Sequence, residues 1–415
     1  MLNKATIDFI NEHRHDDVRL SALCGKPGGD VDMAAALEQI AGWQTARVKL
    51  PSWAETAGIV YPPRLAMEQC SGERVANYKR TVVERLTDAS DELGERGKLI
   101  DLTGGFGVDF AVLAPLFSRS VYVERQELLC RIARHNMPLL GLPDARIECA
   151  DATDYLSVSE RAAMIFIDPS RRDADGRRTY ALADCRPDVL KMMPMLTEKA
   201  DYIMLKLSPM LDTSKTVADL NDAGRADIVS EVHVVATGNE CKELLILLRS
   251  GGAEPATVYC VNDDERFVYS LQEQVVTAPA VDSDIIAGSG ELCGGMFLYE
   301  PNAAVMKAGC FKPVCRRWGM RMMSVNSHLF LSEKPAKDFP GREFCVCSVS
   351  SMNKRSLQSA LHGVSRANIA TRNFPLSAEK LRKRLRLADG GETYIFATTD
   401  SAGKHVIITT RKADV

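Results

Sequence analysis

The segment Leu99-Ile-Asp-Leu-Thr-Gly-Gly-Phe-Gly-Val-Asp109 carries the strongest structural signal in this chain. Its apolar run ends in an acid and is followed by a turn that contains Gly104, Gly105 and Gly107. A backbone needs glycine where φ is positive or where a ligand comes very close. Because the apolar segment 110–116 comes directly after the turn, the pattern predicts a strand, a tight turn and the start of a helix. A doubly wound nucleotide-binding sheet begins in this way.

Apolar segments of this region end in carboxylates at Asp101, Glu124, Asp151 and Asp168. Their alternation with helical segments predicts parallel strands joined by crossover helices. Because the carboxyl ends of parallel strands meet at one edge of a sheet, we expect these acids to line one cleft. Glu124 is placed there to bind both hydroxyls of a ribose. The alternative is an enzyme core of the same kind that binds no cofactor.

The spacing of the glycines distinguishes between two classes of cofactor. A dinucleotide-binding turn has the spacing G-x-G-x-x-G and directs a helix N-terminus at a pyrophosphate. Here only one residue separates Gly105 from Gly107, and Asp101 would repel a phosphate. The turn therefore favours a cationic ligand, and a nicotinamide-dependent dehydrogenase is the less favoured hypothesis.

The motif Asp101-x-x-x-Gly105-x-Gly107 resembles the first motif of class I S-adenosylmethionine-dependent methyltransferases, with Thr103 where the first glycine usually stands. The resemblance implies that S-adenosylmethionine is the cofactor and that it lies across the first three strand ends. The implied cofactor-binding residues are Asp101, Thr103, Gly105, Gly107, Glu124, Asp151 and Ala152. Within this set Glu124 would hold the ribose, and Asp151 with Ala152 would face the adenine.

A second motif, Asp168-Pro-Ser-Arg-Arg172, comes after the apolar strand 163–167. It resembles the D-P-P-x catalytic loop of nucleic-acid methyltransferases, with Ser170 in place of the second proline. The resemblance implies that Asp168 positions the acceptor or accepts a hydrogen bond from it, and a capping acid in a β-turn is the alternative. The implied catalytic residues are Asp168, Pro169 and Arg171, and Arg172 is assigned to RNA contact.

The residues at the ends of these strands narrow the acceptor chemistry. The two arginines of the loop stand where an aromatic residue usually stacks on a flipped base. They would clamp phosphate or stack on a base, and ordinary surface charge is the alternative. Methylation at C5 of a pyrimidine needs a cysteine nucleophile, and neither 168–170 nor 207–209 contains one. We therefore exclude that reaction.

Two further strands, 231–236 and 244–248, are joined by a connection too short to hold a crossover helix. They must therefore pair antiparallel. Such a terminal hairpin separates class I methyltransferases from dehydrogenases. The predicted fold class is accordingly α/β: a doubly wound, Rossmann-like methyltransferase sheet with a terminal antiparallel hairpin, an N-terminal helical region and small C-terminal α+β domains.

The whole layout resembles one bacterial family of class I methyltransferases, which carries a ferredoxin-like insert and a C-terminal THUMP-like domain. The matching positions are Trp53 and the segments 61–63, 68–69, 78–79, 101–109, 168–172, 238–243, 299–301, 372–375 and 381–385. With 415 residues, two to four domains are expected. The predicted domains are 1–92 (helical region), 93–252 (methyltransferase), 253–338 (ferredoxin-like) and 339–415 (THUMP-like).

The last predicted helix is strongly basic and contains a single acid. Its cations are Lys380, Arg382, Lys383, Arg384 and Arg386. We assign them to RNA binding, because each contact with a phosphate adds salt-dependent affinity, and a solvated helix face is the alternative. THUMP domains bind RNA, so the resemblance implies structured RNA, tRNA or rRNA, as the partner. A methyltransferase of a protein or small molecule, and a non-catalytic RNA-binding protein that binds the cofactor, stay open as alternative functions.

The composition is that of an ordinary globular protein, with 46% apolar and 26% charged residues and a net charge of −3. A local basic face would therefore have to form any nucleic-acid interface. The twelve cysteines lack zinc-ligand spacing, so we expect reduced thiols and no metal. The first residues lack a signal-peptide core and no apolar stretch approaches a membrane span. We expect a cytoplasmic protein without membrane contact.

Overall fold

The computed structural model describes residues 2–18, 30–88, 97–170, 181–224, 227–252, 255–275, 290 and 292–413. The chain forms two compact units. The first comprises Met1–Ser230 and Leu244–Glu254, and the second comprises Glu231–Glu243 and Pro255–Val415. The predicted boundary at residues 92 and 93 lies outside the described residues. The four domain ranges stay predictions.

Helices precede the first strand of the first unit. They are α1 (Lys4–His13), α2 (Met33–Lys49), α3 (Pro51–Glu55), α4 (Arg64–Gln69) and α5 (Glu73–Asp88). Side-chain caps begin two of them: Asn3 accepts a hydrogen bond from the Thr6 amide, and Asp32 accepts one from the Ala35 amide. Pro51 begins α3, where the missing N–H has no helical partner to lose.

Strands and helices then alternate as predicted. The elements are β1 (Lys98–Asp101), α6 (Val108–Leu113), β2 (Arg119–Glu124), α7 (Glu127–Leu139), β3 (Arg146–Cys149), α8 (Ala152–Val158), β4 (Ala162–Ile167), α9 (Val189–Lys199), β5 (Ala200–Leu207), α10 (Thr213–Gly224), β6 (Val229–Thr237) and β7 (Glu240–Arg249).

These strands lie in the order β3-β2-β1-β4-β5-β7-β6 within a sheet of nine strands. The first five strands are parallel to their neighbours, whereas β7 is antiparallel to β5. The connection between β6 and β7 turns at Gly238 and Asn239, which have φ values of 58° and 60°. Two successive positive φ values are typical of the type I′ turn, whose twist suits a hairpin. The predicted fold class, with its terminal antiparallel hairpin, is confirmed.

The N-terminal helices and the sheet of this unit share one hydrophobic core. The ring of Trp53 in α3 packs against Phe106, which lies after β1, with ring centroids 4.6 Å apart. Val83 of α5 is buried in the same core. β4 is buried along its whole length, as expected of a central parallel strand. Helices α2 to α5 therefore bury apolar residues against the sheet.

The second unit contains the later strands and short helices. Its elements are β8 (Thr257–Asn262), β9 (Glu265–Ser270), α11 (Leu271–Val275), β10 (Phe297–Pro301), α12 (Ala303–Ala308), α13 (Phe311–Trp318), β11 (Arg321–Met322), β12 (Phe330–Ser332), β13 (Gly341–Ser351), α14 (Lys354–Ala360), β14 (Asn368–Arg372), α15 (Ala378–Leu385), β15 (Thr393–Thr399) and β16 (His405–Lys412).

Seven of these strands form a sheet in the order β11-β12-β10-β13-β16-β15-β14. Successive residues of β15 and β16 enter two different cores: Phe396 and Ile408 enter one, and Ile395 and Ile407 enter the other. Because neighbouring side chains of a strand point to opposite faces, both faces of this sheet are covered. Among the described residues, no helix is long and apolar enough to cross a membrane.

Candidate active site

The turn after β1 is shaped by its neighbour on β2. The hydroxyl of Tyr122 donates a hydrogen bond of 2.5 Å to the carbonyl of Gly105. A Cβ at Gly104 would lie 2.1 Å from the ring of Tyr122, so the ring leaves room only for glycine. Gly105 and Gly107 have φ values of 58° and 89°, in the region that glycine adopts without strain. The glycines thus serve the packing and the path of the turn itself.

Asp101 lies beneath this turn and is only 1% exposed. Its Oδ1 accepts a hydrogen bond of 2.9 Å from the amide of Thr103. Burial raises the pKa of Asp101 well above its ordinary value, and the negative charges of Asp109, Asp168 and Glu124 add to the rise, which the Thr103 hydrogen bond opposes. Asp101 therefore holds the backbone of the turn. Its direct contact with the cofactor stays a prediction.

Glu124 ends β2 and is 8% exposed. Its Oε2 accepts a hydrogen bond of 3.0 Å from the amide of Gly105, and its Oε1 accepts one of 2.8 Å from the amide of Gln126. Its carbonyl accepts a bond of 3.1 Å from the amide of Ala150, which brings the end of β3 beside it. Because each carboxylate oxygen can accept more than one hydrogen bond, the group that anchors the turn can also accept ribose hydroxyls.

Asp151 and Ala152 lie where β3 gives way to α8. Asp151 is exposed and caps the helix, because its Oδ1 accepts a hydrogen bond of 2.8 Å from the amide of Thr153. Ala152 is buried. The structure thus gives Asp151 a helix-capping role that the sequence analysis did not anticipate. The contact of both residues with adenine stays a prediction.

The loop after β4 is tied to the turn after β1. The amide of Asp168 donates a hydrogen bond of 2.6 Å to Oγ1 of Thr103. Glycine, which the motif usually has at position 103, has no hydroxyl and could not accept this bond. Ser170 exchanges two backbone hydrogen bonds with Arg186, which hold the segment containing Asp168 and Pro169. Arg171 and Arg172, which the sequence analysis assigned to catalysis and RNA contact, lie outside the described residues.

Sequence reasoning missed a charged network that reaches Asp168. Nζ of Lys206 lies 2.5 Å from Oδ2 of Asp168 and 3.2 Å from Oδ2 of Asp109. Nζ of Lys79 lies 3.1 Å from Oδ1 of Asp109, and the hydroxyl of Ser71 donates to Asp109 over 2.8 Å. Burial alone would raise the pKa of Asp109, but the charges of Lys206 and Lys79 outweigh it and hold that pKa well below its ordinary value.

One signal in the sequence points to part of this network. Lys206 stands in β5, a strand that is otherwise largely apolar and buried. A lysine inside such a strand is rarely buried unless it is paired, so its position indicates a carboxylate partner. Lys79 gives no such signal, because α5 is rich in charged residues, and only the packing shows that it is 0% exposed.

The basic helix α15 is anchored in the second unit by Leu381, which is fully buried. Two of its predicted RNA-binding cations have acidic partners: Arg382 pairs with Asp389, and Lys383 pairs with Glu379. Lys380, Arg384 and Arg386 are exposed, and no described residue forms an ion pair with them. The available positive charge of this helix is therefore smaller than the sequence suggests.

The strand order, the terminal hairpin and the carboxylates at adjacent strand ends together define the architecture of a class I methyltransferase. This chain is similar to a protein from Porphyromonas gingivalis W83 whose crystal structure is provisionally described as that of a methyltransferase. The match covers 100% of both chains at 33% sequence identity, with a TM-score of 0.81. Two proteins of Mycobacterium tuberculosis, described as uncharacterized S-adenosylmethionine-dependent methyltransferases, are 24% identical over 308 residues, or 73% of this chain and 77% of theirs.

Two family models match the later part of the chain. A ferredoxin-like domain model matches residues 297–340, and a THUMP domain-like model matches residues 341–412. Together with the full-length match at 33% identity, these findings place the chain in the family of methyltransferases that carry a ferredoxin-like and a THUMP-like domain. The protein is an S-adenosylmethionine-dependent methyltransferase.

The residues at the strand ends fit this cofactor. Glu124 and Asp151 offer carboxylate oxygens from two strand ends that a backbone hydrogen bond between Ala150 and Glu124 brings together. Such acceptors suit a ligand with ribose hydroxyls and an exocyclic amine. When bound, S-adenosylmethionine supplies an electrophilic methyl group. The protein contributes the surfaces that bind and orient the reactants.

Proposed function

We propose that this methyltransferase acts on structured RNA, with tRNA or rRNA as the acceptor. The observation that carries the proposal is the match of residues 341–412 to a THUMP domain-like model, because THUMP domains bind RNA. The exposed Lys380, Arg384 and Arg386 support it, since they offer positive charge that no described residue neutralises. Lys and Arg contacts with phosphates supply much of the affinity for nucleic acid.

For the cofactor we propose the roles that the strand ends suggest. Glu124 binds the ribose, and Asp151 with Ala152 faces the adenine. The turn from Gly105 to Gly107 receives the amino-acid moiety, and Asp101 holds the backbone before it through the amide of Thr103. The support for these roles is the backbone hydrogen bonding that joins the ends of β1, β2 and β3.

For the acceptor we propose that Asp168 orients the group to be methylated. Methyl transfer depends chiefly on in-line positioning of the two reactants, together with removal of a proton where the acceptor carries one. The carboxylate of Asp168 is 37% exposed, so a ligand can reach it. Pro169 stiffens the loop, and Arg171 and Arg172 contact phosphate or a base.

The acceptor is tested with tritiated S-adenosylmethionine and total RNA from cells that lack the gene. RNA is fractionated, and modified nucleosides are separated to identify the methylated base. Label in tRNA or rRNA supports the proposal. Label in protein or small molecules instead would favour the alternative acceptors. Binding of RNA and cofactor without transfer to any fraction would favour a non-catalytic RNA-binding protein.

Asp168→Ala tests the role of the proposed catalytic carboxylate. We expect the affinity for S-adenosylhomocysteine to stay within a few-fold, because Asp168 is assigned to the acceptor, whereas methyl transfer is lost. Calorimetry measures the first quantity and the tritium assay the second. Equal losses of both would show that Asp168 belongs to the cofactor pocket or to the scaffold instead.

A further inference from the structure

Lys206 is a buried cation at the proposed acceptor site. Its side chain is 11% exposed and stands in β5, among neighbours that are largely buried and apolar. Removing an ammonium group from water costs several kcal/mol unless nearby charges compensate. The position is therefore unfavourable for a lysine, and a role beyond packing would account for it.

Asp109 has other partners besides Lys206. Lys79 already lies 3.1 Å from that carboxylate and is 0% exposed, and Ser71 donates a further hydrogen bond to it. The shorter contact of Lys206 is with Asp168, at 2.5 Å against 3.2 Å for Asp109. The geometry therefore directs this ammonium group mainly toward the loop after β4.

We propose that Lys206 is a positioning residue for methyl transfer. Its ammonium group fixes the carboxylate of Asp168 so that the exposed side of that carboxylate meets the acceptor. Asp109, held in turn by Lys79, fixes the ammonium group from the other side. Lys206 does not act as the base, because an ammonium group donates hydrogen bonds and accepts none. The inference rests on the acceptor role proposed above for Asp168.

This arrangement gives the N-terminal helices a part in the active site. Lys79 lies in α5, and Ser71 lies just before that helix. Both contact Asp109, which belongs to the first turn of α6. The chain of contacts from Lys79 through Asp109 and Lys206 to Asp168 thus begins in the helical region. We expect that region to be required for catalysis and not only for stability.

Two variants, one with an excess negative charge and one without, separate the positioning of Asp168 by Lys206 from the neutralisation of nearby carboxylates. In the wild type, Lys79 and Lys206 balance Asp109 and Asp168. Lys206→Met leaves one excess negative charge, whereas Asp109→Asn/Lys206→Met restores the balance without returning a cation to Asp168. We expect the melting temperature to fall in the single variant and to recover in the double variant.

The activity of these variants should differ from their stability. In both, we expect kcat in the RNA assay to fall about 100-fold, because the Asp168 carboxylate is no longer fixed against the acceptor, with KM changed by less than about threefold. Asp109→Asn alone keeps the Lys206 cation beside Asp168 but removes the second carboxylate that fixes it, so we expect kcat to fall less than in Lys206→Met. Lys206→Arg restores the charge and should recover part of kcat. Recovery of wild-type kcat in the double variant would overturn the proposal.

A binding measurement tests the inference without any acceptor. S-adenosylmethionine carries a positive charge on sulfur that S-adenosylhomocysteine lacks. Loss of the Lys206 cation should therefore favour the charged ligand, and we expect the ratio of the two dissociation constants to shift at least about fivefold. Lys215→Met is the control, because Lys215 pairs with Asp219 at the surface and is 66% exposed.

The two readouts keep this proposal separate from the proposed function. If no RNA is methylated but the affinity ratio shifts in Lys206→Met and not in Lys215→Met, the RNA proposal fails and the placement of Lys206 beside the methyl-transfer site stands. An unshifted ratio in Lys206→Met, equal to that of Lys215→Met, would overturn the placement whatever the acceptor is.

Discussion

Replacing Glu124 by alanine removes a carboxylate that anchors the cofactor turn and that we expect to bind the ribose. Two backbone amides lose their acceptor, those of Gly105 at 3.0 Å and Gln126 at 2.8 Å. Gln126 is exposed, so water replaces its partner, whereas Gly105 is half-buried. A hydrogen bond to a charged group contributes about 1.5–3 kcal/mol, so the bond to Gly105 sets the expected loss of stability.

The affinity for S-adenosylhomocysteine should fall by a separate amount. Loss of the charged acceptor for the ribose hydroxyls is expected to cost about 1.5–3 kcal/mol, which corresponds to a roughly 10- to 150-fold increase in Kd. Isothermal titration calorimetry measures this change. Tyr122→Phe is the matched control: it removes the 2.5 Å bond to the carbonyl of Gly105 and loosens the same turn. No group that we assign to the ribose is lost in that control.

Three outcomes decide the assignment of Glu124. An unchanged Kd in Glu124→Ala would refute the ribose contact. Equal losses in Glu124→Ala and Tyr122→Phe would show that the carboxylate acts only through the turn. A 2′-deoxy analogue of the ligand gives a second check, since the wild type should discriminate against it and Glu124→Ala should not.

Three further predictions concern the turn, the buried acid beneath it and the basic helix. Gly104→Ala should destabilise the protein by about 1–3 kcal/mol, because its Cβ would lie 2.1 Å from the Tyr122 ring; an unchanged thermal melt would contradict this. The raised pKa of Asp101 means that the folded state favours the protonated carboxyl group. The stability that this group contributes is therefore present below its ordinary pKa of 3.8 and is lost as the pH rises. Asp101→Asn should therefore gain stability relative to wild type above that pH in denaturant titrations. Lys380→Ala/Arg384→Ala should reduce the log–log salt slope of RNA binding by about 1.4–1.8.

The salt-slope prediction has a matched control on the same helix. Glu379 and Lys383 form a surface ion pair, so Glu379→Ala/Lys383→Ala removes one charge of each sign. We expect its salt slope to stay near that of the wild type, because the net charge of the helix is unchanged. A slope in Lys380→Ala/Arg384→Ala equal to that of this control would leave α15 as a solvated surface.

Local features carried much of the sequence-based prediction. The connection between β6 and β7 is too short for a helix, and this alone required the antiparallel hairpin that the structure contains. The glycines at 104–107 predicted a tight turn. The structure shows why glycine is needed there: the Tyr122 ring packs against Gly104, and Gly105 and Gly107 have positive φ values. The short connection and the positive φ values are readable because they depend on neighbouring residues only, whereas the Tyr122 ring lies on another strand.

Thr103 shows where local reasoning ended. It stands where the motif usually has glycine, and its hydroxyl accepts a hydrogen bond from the amide of Asp168 in the loop after β4. Because Thr103 and Asp168 are 65 residues apart in the chain, composition and spacing do not reveal this bond. In the basic helix, the excess of positive charge is reduced by Asp389, which lies seven residues after Arg382 and pairs with it.

The amino-acid sequence by itself determined the fold class and the acids at the carboxyl ends of the strands. Periodicity and turn chemistry depend on local sterics and burial. Only the tertiary structure decided that Lys79, Asp109, Lys206 and Asp168 form one network and that the N-terminal helices share a core with the sheet. Charge pairing and burial in a core depend on distances between segments far apart in the chain, and folding alone sets those distances.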